Sequence, residues 1–306
     1  MTGAAGVRVA LVTCREVPDL DPDTRLLMAP LEARGAIARA AVWDDPSVDW
    51  GSFDLAVVRS CWDYPLRRAE FLAWAHRVPR LANPAHVLEW NTDKRYLQQL
   101  AARGAPVVPT RWLTPSEQWN VPTGGEWVVK PSVSLASLDT GRYRLADTAE
   151  LRLAVEHVQR LHRAGRTVMV QPYLGAVDAI GETSFVYIGG VFSHAVRRAA
   201  ALSTPDTGLD RRFAPGGGLR PRLIPIDAAT KALADKVLVA SVTSPDSLLY
   251  ARVDLLPGDD GNPLLIEVEL TEPQLFFGLV KGSAERMAGA IVAHAQRHGH
   301  KARQHA

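Results

Sequence analysis

The segment 249–269 constrains the fold more than any other stretch of the chain. Two apolar runs flank Asp-Asp-Gly-Asn at 259–262. An Asp-Gly pair between such runs is the strongest short signal for a β-hairpin with a two-residue turn. With that pair at the centre of the turn, Asp254 lies directly opposite Glu267. Glu269 points to the same face, because side chains alternate along a strand.

Three carboxylates on one face of an apolar hairpin repel one another, and burial without compensation would neutralise them. Magnesium resolves this conflict, since it takes oxygen ligands and shares them with nucleotide phosphates. The sequence therefore predicts Asp254, Glu267 and Glu269 as metal ligands. A solvated acidic face is the alternative, although the neighbouring residues are Leu, Val and Ile. The same register places Arg252 opposite Glu269, so a salt bridge could hold Glu269 instead.

The first part of the chain alternates strand and helix patterns. Strands are predicted at 7–13, 36–43 and 53–59, and helices at 23–34 and 69–78. This order favours a parallel, Rossmann-like sheet with helices on its faces, and ligands bind such sheets beyond the carboxyl ends of the strands. Arg59, Ser60 and Asp63 lie at such an end and are candidate substrate-binding residues. Arg59 either contacts a substrate anion or forms an ion pair with Asp63 or Glu70.

The rest of the chain mixes helices with strands. Helices are predicted at 91–103, 148–164, 227–243 and 283–297, and strands at 110–113, 126–130, 168–173, 183–189, 191–197, 248–256 and 263–270. A Gly/Pro/Arg-rich loop spans 202–222, and a loop of that length is either functional or disordered. The predicted fold class is therefore α/β followed by α+β.

Composition narrows the class of protein. A chain of 306 residues is longer than one compact hydrophobic core usually accommodates, so two or three domains are expected. The net charge of +2 comes without a basic stripe, which argues against nucleic-acid binding, and no apolar run approaches membrane-spanning length. The N-terminus lacks the features of a signal peptide, and Cys14 and Cys61 are expected to be reduced. A cytoplasmic protein is expected.

An ordered series of motifs resembles the ATP-grasp family, close to its glutathione-synthetase type. In chain order the motifs are Asn91-x-x-Lys94, Lys130-Pro131, Gln171-Pro172-Tyr173-Leu174, Gly181-Glu182, a strand ending at Arg197, glycines 216–218 before Arg220, Asp254, and Glu267-x-Glu269-x-Thr271-Glu272-Pro273. The resemblance covers roughly residues 85–295. It is specific because all the motifs occur in this order, although no single motif is specific.

The resemblance implies two lobes that clasp ATP, a lid lobe at 85–170 with its linker helix and a catalytic lobe at 171–306, behind an N-terminal domain at 1–84. It assigns Lys94, Lys130 and Ser132 to the phosphates, Gln171, Tyr173 and Leu174 to the adenine, Glu182 to the ribose, and Asp254, Glu267 and Glu269 to magnesium. Arg197 and Arg220 are the implied catalytic residues, with Arg197 on the transferred phosphoryl group.

The chain departs from the family pattern around the acceptor substrate. Glu269 stands where the family usually has Asn, Ser184 stands where it usually has Arg, and Arg220 is displaced from the Gly-Gly-Arg of the family loop. These differences argue against glutathione synthesis. Trp43–Trp50, Val58–Tyr64, Trp90–Lys94 and Glu272-Pro273 resemble instead a branch that closes O-ureido-D-serine into D-cycloserine in antibiotic biosynthesis.

The implied activity is ATP-dependent conversion of a carboxylate into an acyl phosphate, which a nitrogen then attacks. In the cyclising branch that nitrogen belongs to the same amino-acid-like substrate. An intermolecular ligase of two amino acids is one alternative, and an ATP-binding regulator without turnover is another. Assembly into a homo-oligomer is left open.

Overall fold

Three β-sheets organise the residues that this computed structural model describes, namely 6–199, 202, 221–241 and 247–303. The strands are β1 Arg8–Thr13, β2 Ile37–Val42, β3 Leu55–Ser60, β4 Leu81–Ala82, β5 Arg111–Leu113, β6 Glu126–Pro131, β7 Gly141–Arg144, β8 Val168–Pro172, β9 Glu182–Ile188, β10 Val191–Arg198, β11 Arg222–Leu223, β12 Tyr250–Pro257 and β13 Pro263–Glu269. The helices are α1 Pro22–Arg25, α2 Met28–Glu32, α3 Arg68–Arg77, α4 Ala85–Asn91, α5 Tyr96–Ala102, α6 Thr148–Arg163, α7 Ala176–Ile180, α8 Ala228–Ser241 and α9 Ser283–Arg303. None of the described helices is long and apolar enough to cross a membrane.

The first sheet is parallel, with the order β2-β1-β3-β4. β3 is buried along its whole length, as expected for an apolar strand covered on both faces. Cys14 and Cys61, which follow β1 and β3, are both free and buried. The helix predicted at 23–34 is divided into α1 and α2. Pro30 explains the break, because its ring lacks an N–H and would clash with the carbonyl four residues earlier in a continuous helix.

The other two sheets are antiparallel. Their orders are β11-β10-β9-β12-β13 and β5-β8-β6-β7. β9 and β10 meet across Gly189-Gly190, where both glycines have positive φ. The helix predicted at 91–103 begins later than expected, since Asn91 ends α4 and α5 starts at Tyr96. Lys94 therefore lies in the turn between two helices.

The β12–β13 hairpin has the predicted register at its acidic residues, but its turn differs. Asp254 pairs with Glu267, as predicted. The turn is one residue longer than expected, because the N–H of Gly258 donates to the carbonyl of Asn262 at 2.8 Å. A bulge compensates for the longer turn: Leu255 pairs with Leu265, so Ile266 has no partner on β12. The longer turn and the bulge offset each other, so the register at Asp254 and Glu267 is the predicted one.

The outer edge of β13 is covered by the segment that links the first sheet to the rest of the chain. The backbone N–H of Leu265 donates to the Pro106 carbonyl at 2.7 Å, and its carbonyl accepts from the Val108 N–H at 3.0 Å. The Tyr96 hydroxyl forms hydrogen bonds with the carbonyl and the N–H of Val268 at 2.8 and 2.9 Å. The Asn91 side chain donates to the Val268 carbonyl at 2.7 Å and accepts from the Leu270 N–H at 2.8 Å. Side chains thus take the place of a further strand and hold β13 in position.

Asn91→Ala is predicted to lower the free energy of unfolding by about 1 to 3 kcal/mol, because it leaves the buried backbone N–H of Leu270, directly after β13, without its partner. The urea-unfolding midpoint, followed by tryptophan fluorescence, measures the change. Asn120→Ala is the matched control, since Asn120 is exposed. Equal midpoints for the two variants would show that the Asn91 side chain does not secure the strand.

Candidate active site

A bidentate ion pair lies at the centre of the acidic cluster on β12 and β13. The Nε and Nη2 atoms of Arg252 lie 2.9 and 2.8 Å from the two oxygens of Asp254. Asp254 is 1% exposed and Arg252 is 4% exposed. Arg252 also donates to Glu269 and, at 3.1 Å, to the carbonyl of Gln274. Glu269 therefore forms the salt bridge that its register allows, while it remains beside the other carboxylates.

Arg198 adds a second cation to this cluster. Its Nη2 atom contacts Glu182 and lies 3.1 Å from Oδ2 of Asp254. Arg197, the predicted catalytic residue, lies on the opposite face of the sheet, where its Nη2 is 3.3 Å from the Thr183 hydroxyl. The structure therefore brings Arg198, rather than Arg197, to the carboxylates.

Lys94 approaches the same cluster from the turn between α4 and α5. Its Nζ lies 2.8 Å from Oε1 of Glu267 and donates to the Ser134 carbonyl at 2.6 Å. Burial lowers the pKa of Lys94, but Glu267, Glu269 and Glu272 together raise it by more, so the net shift is upward. Lys94 thus stays charged. Its backbone N–H donates to the Ser132 carbonyl at 2.8 Å, which fixes the turn against the end of β6.

Lys130 is the second buried lysine near the cluster, on β6. Burial lowers its pKa from the ordinary 10.5 to about 8, and the nearby Lys94 also lowers it. The carboxylates of Glu267 and Glu182 act in the opposite direction but do not offset the burial. An anionic ligand beside Lys130 would stabilise the charged form of this lysine.

The nearby cations compensate the carboxylates unequally. Burial raises the pKa of Glu182 to about 7 and that of Glu269 to about 7, and repulsion from Asp254 adds to both shifts. The pKa of Asp254 is lowered, because Arg252 and Arg198 outweigh the effect of its burial. Carboxylate oxygens that lie together in this way are the kind of donor that a hard divalent ion such as magnesium takes.

The predicted adenine-binding segment runs along and beyond β8. The Gln171 side chain donates to Thr110 at 2.8 Å, and the backbone N–H of Tyr173 donates to the Glu126 carbonyl at 2.8 Å. Leu174 is buried beside them. The Gln171 amide and the Tyr173 N–H are therefore used within the fold, and other backbone groups of this segment would have to meet a base.

Arg59 is buried at the carboxyl end of β3, with 2% of its surface exposed. Its Nη2 donates to the Pro273 carbonyl at 2.9 Å, and its guanidinium lies 5.2 Å from the centre of the Tyr250 ring. Its Nη1 has no hydrogen-bond partner among the described residues. An unpaired buried donor of this kind suits an anionic or carbonyl group of a ligand.

The ion pair proposed for Arg59 as an alternative is wrong. Arg67 takes both acidic partners instead, at 3.3 Å from Asp63 and 2.6 Å from Glu70. Asp63 also accepts from Trp43 Nε1 at 2.9 Å. The Ser60 hydroxyl donates to Asp21 at 2.9 Å. Ser60 and Asp63 thus have internal partners at the sheet end, unlike Nη1 of Arg59.

Sequence reasoning missed two residues that border the cluster. Arg198 could have been found by following the strand register, because Asp254 pairs with Ser184 and Ser184 pairs with Val196, which shares a face with Arg198. Glu272 was noticed only as part of a motif, and no spacing rule marks it. Its Oε2 is buried and has no partner among the described residues. Arg220 lies outside the described residues.

The comparisons with known proteins agree on one family. A family model described as the N-terminal domain of the D-cycloserine synthetase DcsG matches residues 9–83. The cycloserine biosynthesis protein DcsG of Streptomyces lavendulae is 36% identical over 302 residues, covering 93% of this chain and 97% of that protein. The crystal structure of D-cycloserine synthetase DcsG has a TM-score of 0.83 at 34% identity and covers 94% of this chain and 99% of that one.

A more distant likeness shows the fold alone. The D-alanine–D-alanine ligase of Bacillus anthracis, solved in complex with ATP, has a TM-score of 0.62 at 15% identity, with 95% of this chain and 98% of that chain covered. On the strength of the closer relatives and this shared fold, the chain is an enzyme that belongs to the D-cycloserine synthetase (DcsG) family of ATP-grasp ligases.

Proposed function

We propose that this enzyme uses ATP and magnesium to close O-ureido-D-serine into D-cycloserine. The observation that carries the proposal is the cluster of the buried Asp254 and the half-buried Glu267 and Glu269, with Arg198 and Lys94 on its border. Such a cluster can hold a divalent ion and a polyphosphate at once. The relationship to a cycloserine biosynthesis protein supports cycloserine as the product, and the motif resemblance described above supports O-ureido-D-serine as the substrate.

The proposed reaction balances as three steps. The γ-phosphoryl group of ATP passes to the substrate carboxylate, which leaves ADP and an acyl phosphate. The nitrogen bonded to the side-chain oxygen then attacks the acyl carbon, and inorganic phosphate leaves as the five-membered ring closes. Hydrolysis removes the carbamoyl group from that nitrogen, consuming water and releasing ammonia and carbon dioxide.

The protein contributes position and charge rather than a nucleophile. Lys94 and Lys130 would bind the phosphates of ATP, since both are buried cations at the border of the cluster. Arg198 would neutralise charge on the transferred phosphoryl group. Asp254 and Glu267 are the firmer magnesium ligands, with Glu269 as the third. When bound, magnesium would neutralise phosphate charge there.

An assay of ADP formation distinguishes attack by a nitrogen of the same substrate from attack by a second amino acid. We expect O-ureido-D-serine alone to stimulate ADP formation and to yield phosphate and a ring product in equal amounts. Mass spectrometry of the product shows whether the ring has closed. A requirement for a second amino acid would indicate an intermolecular ligase, and ADP formation unaffected by any amino acid would indicate a regulator.

The cluster predicts a graded response to loss of its carboxylates. Asp254→Asn and Glu267→Gln should each reduce magnesium-dependent turnover by at least about 100-fold, because each removes an oxygen charge where cations gather. Glu269→Asn should be milder, since Asn is usual at this position of the family. ADP formation against magnesium concentration measures all three. Asp259→Asn, in the exposed turn, is the control; a loss there equal to that of Asp254→Asn would refute the assignment.

Variants of the neighbouring residues Arg197 and Arg198 allow a matched comparison. Arg198→Gln should lower kcat roughly 100- to 1,000-fold, because the guanidinium beside Asp254 is lost. Arg197→Gln should lower it less than about tenfold, since that side chain lies on the other face of the sheet. Steady-state kinetics with ATP and O-ureido-D-serine compare them. The reverse order would restore Arg197 as the catalytic residue.

Lys130 predicts a pH dependence of ATP binding. Its pKa of about 8 means that the charged form prevails below pH 8 and is lost above it. MgATP affinity should therefore fall as pH rises past 8, approaching roughly tenfold per pH unit. Calorimetry without the amino-acid substrate measures the affinity. Lys130→Arg keeps its charge in this range and should flatten the profile; the same slope in both proteins would exclude Lys130 as the source.

A further inference from the structure

Glu272 lies between the acidic cluster and the first sheet. It follows β13 by three residues. The carbonyl of its neighbour Thr271 lies 2.8 Å from the Tyr250 hydroxyl, which is also 2.8 Å from the carbonyl of Val58 on β3. A carboxylate there borders both the proposed phosphate site and the carboxyl end of β3.

The backbone around Glu272 is fixed by its neighbours. The Thr271 hydroxyl lies 3.0 Å from the Asn91 side chain, and the Pro273 carbonyl accepts from Arg59 at 2.9 Å. Oε2 of Glu272 is nevertheless buried without a hydrogen-bond partner among the described residues. Leaving a buried polar atom unpaired costs free energy unless a ligand satisfies it. The arrangement therefore looks preorganised for a ligand.

The unpaired oxygen of Glu272 indicates which ligand. Oε2 is an acceptor that the described residues leave without a donor. A ligand with a positively charged N–H group would supply that donor and form the stronger, charge-assisted hydrogen bond. The free Nη1 of Arg59 lies at the same junction, and both residues influence Tyr250. A ligand with a cationic group and an oxygen acceptor would satisfy both.

We propose that Glu272 is a specificity-determining residue that binds the cationic α-amino group of the amino-acid substrate. The inference rests on the proposed function, because it takes an α-amino acid as the acceptor. The α-ammonium group is one carbon away from the carboxylate that is phosphorylated. Its partner must therefore lie close to the phosphate site. Glu272 meets this requirement, since it follows the proposed metal ligand Glu269 by three residues and directly precedes Pro273, whose carbonyl accepts from Arg59.

The experiment compares two ligands that differ only in the amino group. O-Ureido-D-serine and its analogue without the α-amino group, 3-(ureidooxy)propanoate, are titrated calorimetrically into the protein saturated with MgADP. Wild type should prefer the amino compound. Glu272→Gln should weaken binding of O-ureido-D-serine roughly 10- to 100-fold, as expected for a lost charge-assisted hydrogen bond, and should leave the analogue's affinity unchanged.

Two further variants complete the test. Glu272→Asp keeps the charge and should retain part of the preference, and it takes over the comparison if the Gln variant does not fold. Glu285→Gln removes an exposed carboxylate from the same lobe and should change nothing. MgADP affinity and circular dichroism confirm that each variant is folded.

An unchanged ratio of the two affinities in Glu272→Gln would overturn the proposal, as would a wild-type protein that binds the two ligands equally or binds neither. Turnover is recorded separately. If wild type forms no ADP with O-ureido-D-serine while Glu272→Gln abolishes the amino preference, the proposed reaction fails and the assignment of Glu272 stands.

Discussion

The buried ion pair between Arg252 and Asp254 is the interaction on which the rest of the site depends. β12 lies between β9 and β13, so the pair occupies the middle of the sheet. Asp254 keeps its charge there only because Arg252 faces it with two donors and Arg198 adds another. Removal of one partner from a buried pair leaves an uncompensated charge, which costs several kcal/mol. Glu269 and Glu182 are positioned through the same two arginines.

The position of the second carboxylate strand depends on the chain that precedes it. Without Asn91, Tyr96 and residues 106–108 the outer edge of β13 would be open. Lys94 belongs to the same linking segment, so the contacts that close the edge also bring its ammonium to Glu267. The first sheet is attached in a similar way, since Asp23 accepts from the backbone N–H groups of Leu275, Phe276 and Phe277 at 2.9, 3.0 and 2.6 Å. One set of contacts thus secures the fold and assembles the site.

The sequence was most informative where a local rule decides the structure. Alternation of side chains placed Asp254 opposite Glu267, and apolar runs with intervening helices indicated the parallel sheet. The turn was predicted wrongly, because the bulge at Ile266 lies next to Leu265, which is bonded to residues 106–108 far away in the sequence. No local pattern reveals that contact.

Side-chain partners were harder to predict than strands. A shift of one residue moves a side chain to the other face of a sheet, and this separates Arg197 from Arg198. The ion pair considered for Arg59 failed because Arg67, the residue before α3, contacts both acids. Glu272 has no sequence signal of its own, since contacts of its neighbours with distant residues set its position.

A crystal structure of the enzyme with magnesium and ADP would show directly what the hairpin carboxylates bind. We expect a magnesium ion about 2.1 Å from carboxylate oxygens of Asp254 and Glu267 and from a phosphate oxygen. We also expect the Lys94 ammonium to turn from Glu267 to the nucleotide. A magnesium–nucleotide complex that contacts neither carboxylate, with Lys94 still paired to Glu267, would show that the hairpin does not hold the metal.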